Sequence, residues 1–217
     1  MPNHVQHRLT LVNASEADIK KFNELFHEDE DFISLNKIIP MPESLKIECS
    51  TRSSKAKEII ESADPEKALA DYLAEMREER HYTDEGCQEF KELVGKVKHN
   101  LDNYGMPTWY EWSINTWGTK WDTYDGGSID DHSCYFQTAW STPRPAMTAL
   151  SKMLPDCVIE VEYADEDYGH NCGRYNLKNG ERIDSYQPDG DEALRYSLDV
   201  WGEDYEEYME MMKEEEG

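Results

Sequence analysis

Residues 109–140 read W-Y-E-W-S-I-N-T-W-G-T-K-W-D-T-Y-D-G-G-S-I-D-D-H-S-C-Y-F-Q-T-A-W, and this stretch decides the fold. It holds five of the six tryptophans of the chain. Aromatic and β-branched side chains are enriched in strands because they fit a pleated, half-buried surface. An acidic, glycine-rich link separates two such aromatic segments. We therefore predict a central β-hairpin here.

The segments on either side of the hairpin complete a recognisable order of elements. Residues 5–12 alternate apolar and polar side chains, which predicts a strand, and Ser15 with Asp18 marks the start of a helix. Residues 143–155 predict a second short helix, and residues 157–165 alternate again. The order β-α-β-β-α-β is that of a ferredoxin-like α+β fold, in which both helices cover one face of an antiparallel sheet.

Further segments attach to this pattern. Residues 33–105 carry apolar side chains at helical spacing and predict a mostly helical insertion. Asn179–Gly180 predicts the tight turn of an extra hairpin, and the tail predicts an acidic amphipathic C-terminal helix. The predicted domains are a ferredoxin-like domain over residues 1–32 and 106–188, the insertion over 33–105, and the acidic helix over 189–217.

The charge of the chain restricts its partners. The 217 residues include 22 Lys and Arg against 47 Asp and Glu, which gives a formal net charge of −25. A negative field of this size repels phosphate backbones and anionic membrane surfaces, so we expect neither direct nucleic-acid binding nor membrane binding. The charge has two interpretations. It keeps the protein soluble, or it imitates the phosphate array of DNA and occupies a basic surface of a host protein.

The cysteines and the hydropathy predict a cytoplasmic protein. The five cysteines are widely and unequally spaced, with no C-x-x-C pair, which argues against a zinc ribbon or a disulfide framework. No apolar run approaches the roughly 20 residues that a membrane-spanning helix requires, and the amino terminus has no signal-peptide pattern. We therefore expect a soluble chain with reduced thiols.

The sequence predicts no catalytic residues, no metal and no cofactor. The patterns D-D-H-S-C at 130–134 and Y-G-H-N-C at 168–172 would supply a His2Cys2 site if their loops met, but neither spacing matches a zinc finger. The acidic link at 122–131 lacks the glutamate of an EF-hand. Glu160 and Glu162 share a strand face, where carboxylates serve either acid–base chemistry or protection of a sheet edge. The G-x-S-x-G, P-loop and H-E-x-x-H motifs are absent.

The segment W-G-T-K-W-D, residues 117–122, is the candidate binding site. Tryptophan faces stack on flat rings, and a neighbouring lysine or aspartate fixes the orientation of such a ligand. The alternative is that the tryptophans fill the core while the lysine and the aspartate pair with neighbours. The predicted ligand-binding residues are Trp117, Lys120, Trp121, Asp122, Trp140 and Tyr163.

Several motifs together resemble a known family. They are N-H-V at 3–5, I-I-P-M-P-E-S-L at 38–45, W-G-T-K-W-D at 117–122, T-A-W-S-T-P-R-P at 138–145 and E-Y-A-D-E-D at 162–167. Over most of residues 3–187 the chain resembles the YubB-like (Api-type) proteins of bacteriophages and plasmids. The resemblance implies a ferredoxin-like domain and a mobile-element origin, and it supplies no catalytic residues. The acidic C-terminal helix lies outside the shared pattern.

These observations leave two functional interpretations. In the first, the protein is a non-enzymatic acidic binder of a host protein, acting by DNA mimicry or as an anti-defence factor. In the second, an aromatic pocket around Trp117–Asp122 binds or processes a small molecule or a nucleotide signal. We favour the first interpretation on the basis of charge. The sequence does not establish the oligomeric state.

Overall fold

The computed structural model of the protein describes residues 3–79 and 83–215. The chain divides into two compact units. The sheet unit consists of Met1–Pro40 together with Ile114–Gly217, and the helical unit consists of Met41–Ser113. Arg80, His81 and Tyr82, which fall within the predicted insertion, lie outside the described residues.

The sheet unit is built on a six-stranded antiparallel sheet with the order β2-β3-β1-β4-β5-β6. Its first four strands in the chain have the neighbour relations of a ferredoxin-like fold, and β5 and β6 extend the β4 edge. The predicted α+β fold class is confirmed. The strands are β1 (His4–Val12), β2 (Tyr124–Asp130), β3 (Ser133–Ala139), β4 (Val158–Asp165), β5 (Gly173–Lys178) and β6 (Glu181–Tyr186).

The helices alternate with this sheet in the chain. The helical unit lies between β1 and β2 in the chain. Helices of the sheet unit lie between β1 and the helical unit, between β3 and β4, and after β6. The helices are α1 (Glu16–Asn23), α2 (Leu35–Ile38), α3 (Thr51–Ile60), α4 (Pro65–Glu79), α5 (Asp84–Tyr104), α6 (Trp109–Thr116), α7 (Arg144–Met153), α8 (Gly190–Trp201) and α9 (Tyr205–Glu215), with a short 3-10 helix at Glu43–Leu45.

The first face of the sheet carries the core of the sheet unit. On β1 the side chains of Val5, His7, Leu9 and Leu11 are all buried on this face. Helix α7 covers it, since the Arg144 guanidinium donates a hydrogen bond to the Tyr163 hydroxyl of β4. Helix α1 lies beside α7, because Lys21 donates to the carbonyl of Met153. The two short helices therefore pack as a ferredoxin-like fold requires.

The second face of the sheet is partly covered by α8. The Trp201 indole donates to the carbonyls of Ala164 and Asp165 at 3.1 and 3.2 Å. The prediction of a single C-terminal helix is wrong, because the structure has two helices there. Helix α8 ends at Trp201 because Gly202 adopts the left-handed conformation, with a φ of 79°, and α9 begins at Tyr205.

The predicted central hairpin is only half correct. Its second half is β3, but its first half begins with α6, so Trp109 and Trp112 lie on a helix rather than on a strand. The Thr108 hydroxyl accepts a hydrogen bond from the Tyr110 amide and donates one to the Glu111 carboxylate, and these contacts organise the first turn of α6. The first strand of the hairpin, β2, begins only at Tyr124.

The helical unit has a core of its own, formed by α3, α4 and α5. Thr83 caps the start of α5, and Gly105, with a φ of 72°, ends it. The unit spans residues 41–113, whereas the predicted insertion covers 33–105, and the predicted boundaries stay a prediction. The buried core residues are Ala56, Ile59, Leu73, Met76, Cys87, Phe90 and Val97.

Within residues 3–79 and 83–215, none of the helices combines the length with the apolar composition that crossing a membrane demands.

Candidate functional site

The tryptophan loop, residues 117–123, is held against the turn at 139–142 by side-chain hydrogen bonds. The Thr119 hydroxyl donates to the Ala139 carbonyl at 2.7 Å, and the Ser141 hydroxyl donates to the Gly118 carbonyl at 2.6 Å. Gly118 has a φ of 88°, in the left-handed region that favours glycine. The loop and the turn therefore form one fixed structure.

Trp117 lies in the core of the sheet unit. Only 4% of its surface is exposed, and its indole nitrogen donates to the Ile39 carbonyl at 2.9 Å. A buried indole whose N–H is paired is a typical packing residue. The structure therefore places this predicted ligand-binding residue in the core.

Asp122 acts as a cap for α2, from a distant part of the chain. Its carboxylate accepts hydrogen bonds from the Leu35 amide at 2.6 Å, the Ser34 hydroxyl at 2.7 Å and the Asn36 amide at 3.3 Å. The first amides of a helix have no partners within the helix, and a negative charge at this end is favourable. The contacts of Asp122 are therefore those of a structural residue.

Lys120, Trp121 and Trp140, three of the predicted ligand-binding residues, lie close together. The Lys120 ammonium lies 4.4 Å from the ring centroid of Trp121 and 4.9 Å from that of Trp140. Trp140 is 41% exposed and has a φ of 73°, which is unusual for a bulky residue. Its amide donates to the Asn3 carbonyl at 2.8 Å, which holds it at the end of β3.

Two residues that the sequence did not indicate extend this group. The Tyr124 hydroxyl lies 2.7 Å from Nδ1 of His4, and the Tyr124 ring centroid lies 6.3 Å from that of Trp121. Burial, together with the nearby Asp125 and Glu166 carboxylates, raises the pKa of Tyr124 to about 12, so the phenol stays protonated. We call His4, Lys120, Trp121, Tyr124 and Trp140 the aromatic–lysine cluster.

Tyr163 is not part of this cluster. Its side chain lies on the first face of the sheet, 5% exposed, and its ring centroid is 6.0 Å from that of Tyr175. The Arg144 guanidinium lies over both rings, 5.7 Å from Tyr163 and 4.8 Å from Tyr175. The Tyr124 side chain lies on the second face of the sheet, because its register partner on β3, Gln137, is on that face. The six predicted residues thus divide among the core, a helix cap, the first face and the cluster.

A row of charged and aromatic residues crosses the second face. Register places Arg8 opposite Glu162 and Glu162 opposite Arg174, with Tyr135 and Tyr186 at the two ends. Helix α8 contacts the row, since its Tyr196 hydroxyl donates to Glu162 at 3.2 Å and Arg8 pairs with its Asp199 at 2.8 Å. Burial raises the pKa of Glu162, although Arg8 lowers it. Glu162 is therefore partly covered by α8.

Glu160 is the other member of the predicted carboxylate pair. The Arg174 guanidinium lies 3.7 Å from its carboxylate and 3.3 Å from that of Asp184. The carboxylates that we considered for acid–base chemistry thus have arginine and tyrosine partners on the second face.

The surface beside the β2–β3 turn is strongly acidic. A depression of about 540 Å3 is lined by the carboxylates of Glu28, Asp29, Glu30, Asp31, Asp130 and Asp131. A second depression, of about 610 Å3, shares Asn23 and Asp131 with the first and adds Glu16 and Glu24. Lys20 also lines the second depression. Carboxylates are thus concentrated over a continuous part of the sheet unit.

Two of the residues considered for a metal site, His132 and Cys134, lie in surroundings of another kind. His132 lies 3.1 Å from the Asp130 carboxylate, and Cys134 is buried on β3, where burial raises its pKa to about 12. In the part of the chain that the structure describes, no group of three or more His, Cys, Asp or Glu side chains has an arrangement that holds a metal ion.

Comparisons with known proteins found a family model and a solved structure that are similar to the chain. Residues 116–212 match the family model described as a ferredoxin-like domain in Api92-like protein. The chain is also similar to the crystal structure of a protein api92 from Yersinia pseudotuberculosis, at 12% identity and a TM-score of 0.42, over 88% of this chain and 99% of that chain. No curated protein matches. Residues 116–212 are thus similar to the ferredoxin-like domain of Api92-like proteins.

Proposed function

We propose that the protein is a non-enzymatic binding protein that uses its acidic surface to engage a basic surface of a host protein. The observation that carries the proposal is the concentration of carboxylates around Asp131, where the two acidic depressions meet. Carboxylates spread only for solubility would be scattered. A band of one sign instead attracts a partner of the opposite sign and speeds its association.

The kind of partner follows from the same charge. DNA presents one negative charge per about 1.7 Å of helix axis, and a protein surface that binds it is basic. A folded surface with closely spaced carboxylates competes for such a basic surface. We propose that the protein acts in this way as a DNA mimic against a host protein, in the cytoplasm. The motif resemblance to bacteriophage and plasmid proteins supports this role for a product of a mobile element.

The test is affinity purification from the bacterial host with full-length protein at low and at raised salt. The test variant is Asp29→Asn/Glu30→Gln/Asp31→Asn, which neutralises three exposed carboxylates of the acidic depression. The matched control is Glu206→Gln/Glu207→Gln/Glu210→Gln, which makes the same charge change at exposed positions of α9. Salt screens interactions between exposed charges, so a charge-driven complex weakens as salt rises.

We expect a nucleic-acid-binding protein to co-purify with the wild type and with the α9 control. It should not co-purify with the acidic-depression variant. Duplex DNA should displace the retained protein. Equal loss in both variants would mean that only the net charge matters, and retention that does not respond to salt would contradict the mimicry.

A further inference from the structure

We propose that the aromatic–lysine cluster binds a flat aromatic ring that carries one acidic group. This function is separate from the acidic surface, and it does not depend on the proposed partner. The cluster combines two indole rings, one ammonium group and one protonated phenol within the sheet unit. Together these groups match both parts of such a ligand.

The ring of the ligand has a surface on which to stack. Trp140 is the only tryptophan among the large hydrophobic side chains that are conspicuously exposed within residues 3–79 and 83–215. Aromatic pairs prefer offset-stacked or edge-to-face geometry and contribute about 0.5–1.5 kcal/mol beyond the burial of area. Trp140, with 41% exposure, is held at a φ of 73°. Backbone strain of this kind is concentrated at binding sites.

The cluster is fixed before any ligand arrives. The loop that carries Lys120 and the turn that carries Trp140 are joined through Thr119 and Ser141, as described above. Trp140 is fixed again through Asn3. A preorganised site loses less conformational entropy when a ligand binds, which favours affinity for a small molecule.

The charges around the cluster select a ligand with one acidic group. The Lys120 ammonium lies over both indole rings and attracts an anionic group on a ring that stacks there. It repels a cationic ligand. Asp125 and Glu166 lie near Tyr124, and their carboxylates repel a ligand with several negative charges. The Tyr124 hydroxyl lies 2.7 Å from Nδ1 of His4, and this contact holds the phenol in place beside Trp121.

Two sources of this chemistry are nucleoside monophosphates and aromatic carboxylates. The probes are therefore two matched pairs, adenosine monophosphate with adenosine, and nicotinate with nicotinamide. In each pair the ring is kept and the acidic group is removed. The measurement is a titration of the full-length protein, labelled with nitrogen-15, in which the indole N–H signals of the tryptophans are followed. Trp117 and Trp201, whose indoles donate to backbone carbonyls, are internal controls in the same spectrum.

The signals of Trp121 and Trp140 should shift with a saturable dependence, while those of Trp117 and Trp201 stay in place. The acidic member of at least one pair should bind about two- to fivefold more tightly than its neutral counterpart, as a partly exposed charge pair provides. Lys120→Gln should abolish this difference, and Trp140→Ala should weaken binding of both members. An unchanged Trp117 signal in each variant shows that the fold is intact.

Three results would overturn the proposal. The first is no saturable shift with any of the four probes. The second is a shift that affects the control tryptophans as strongly as Trp121 and Trp140. The third is a Lys120→Gln protein that still prefers the acidic ligand.

Discussion

Arg8 on β1 lies directly opposite Glu162 on β4, in the middle of the row that crosses the second face of the sheet. Arg174 is the register partner of Glu162 on the other side, but its guanidinium lies near the carboxylates of Glu160 and Asp184. Burial nevertheless raises the pKa of Glu162, because desolvation outweighs the attraction to Arg8. The row therefore positions α8 through paired charges, and within it the Glu162 carboxylate is partly desolvated.

This arrangement predicts that Glu162→Gln stabilises the protein at pH 7. A raised folded-state pKa means that the protonated carboxyl is preferred, so stability increases as pH falls through that pKa. Glutamine imitates the uncharged form and keeps an acceptor for the Tyr196 hydroxyl. The advantage of the variant in thermal unfolding should therefore be present at pH 7 and shrink in acid. A variant that is less stable than the wild type at pH 7 would contradict the assignment.

A double-mutant cycle measures how strongly Arg8 and Glu162 interact. Arg8→Gln should destabilise the wild type more than it destabilises the Glu162→Gln variant, because only the wild type is left with a partly buried carboxylate that has lost a partner. The expected coupling is about 0.2–1 kcal/mol, as for opposite charges directly across two strands. The contact of Arg8 with Asp199 is lost in both backgrounds, so it cancels. Urea unfolding at pH 7 gives the four free energies.

His7 predicts a loss of stability in acid. It is fully buried, its ring stacks on Phe136 at 4.9 Å, and burial lowers its pKa from 6.5 to about 3. The unfolded state therefore binds a proton that the folded state excludes, and stability falls as pH decreases from 6.5 towards 3. The free energy of unfolding should decrease by about 1.4 kcal/mol per pH unit in this window through His7 alone.

Comparison of two core variants isolates this contribution. His7→Phe should have a smaller pH dependence of the free energy of unfolding between pH 6 and pH 4. Phe136→Leu, which changes packing beside His7 without removing a titrating group, should keep the dependence of the wild type. If the two variants have the same dependence as the wild type, His7 does not cause it.

The fold was predictable because periodicity reports directly on burial. The alternation in residues 5–12 and 157–165 marks strands whose first-face side chains are buried, and Asn179–Gly180 marks the turn between β5 and β6. The error at residues 109–116 arose because aromatic side chains fit a helix as well as a strand when they pack on a core. The sequence contained a signal against the strand: Thr108 with Glu111 is the pattern of a capping box.

The site was only partly predictable, because its contacts join distant parts of the chain. Nothing near Asp122 in the sequence shows that it caps α2, since Leu35 is 87 residues away. Likewise, His4 reaches Tyr124 only because β1, β3 and β2 are neighbours in the sheet. Lys120 and Trp121 were predictable because they are adjacent in a loop rich in aromatic residues.

The cap contacts of Asp122 predict a stability effect. Asp122→Ala removes the acceptor for the Leu35 and Asn36 amides and for the Ser34 hydroxyl, and should cost about 1–2 kcal/mol in urea unfolding. Asp122→Asn keeps one acceptor oxygen and should cost less. Asp131→Ala, a substitution at an exposed position, should change stability by no more than about 0.5 kcal/mol. Equal stability of the Asp122 and Asp131 variants would contradict the capping role.

A side chain at Gly118 should destabilise the fold through a steric clash, and this effect can be separated from that of the left-handed backbone conformation. A Cβ atom at Gly118 would lie 2.5 Å from Cδ of Pro145, and the φ of 88° is unfavourable for alanine. Gly202 has a similar φ of 79°, but a Cβ atom there meets no atom within 4 Å. Gly202→Ala should therefore cost about 1 kcal/mol, for the left-handed conformation alone. Gly118→Ala should cost about 1–3 kcal/mol more in urea unfolding, because the proline ring has to move.

Because Ser141 holds the Gly118 carbonyl, the same substitution should also shift the indole signals of Trp121 and Trp140. If Gly118→Ala and Gly202→Ala lose the same free energy of unfolding, the loop moves away from the proline ring without an energetic penalty. The aromatic–lysine cluster would then be less rigid than its hydrogen bonds indicate.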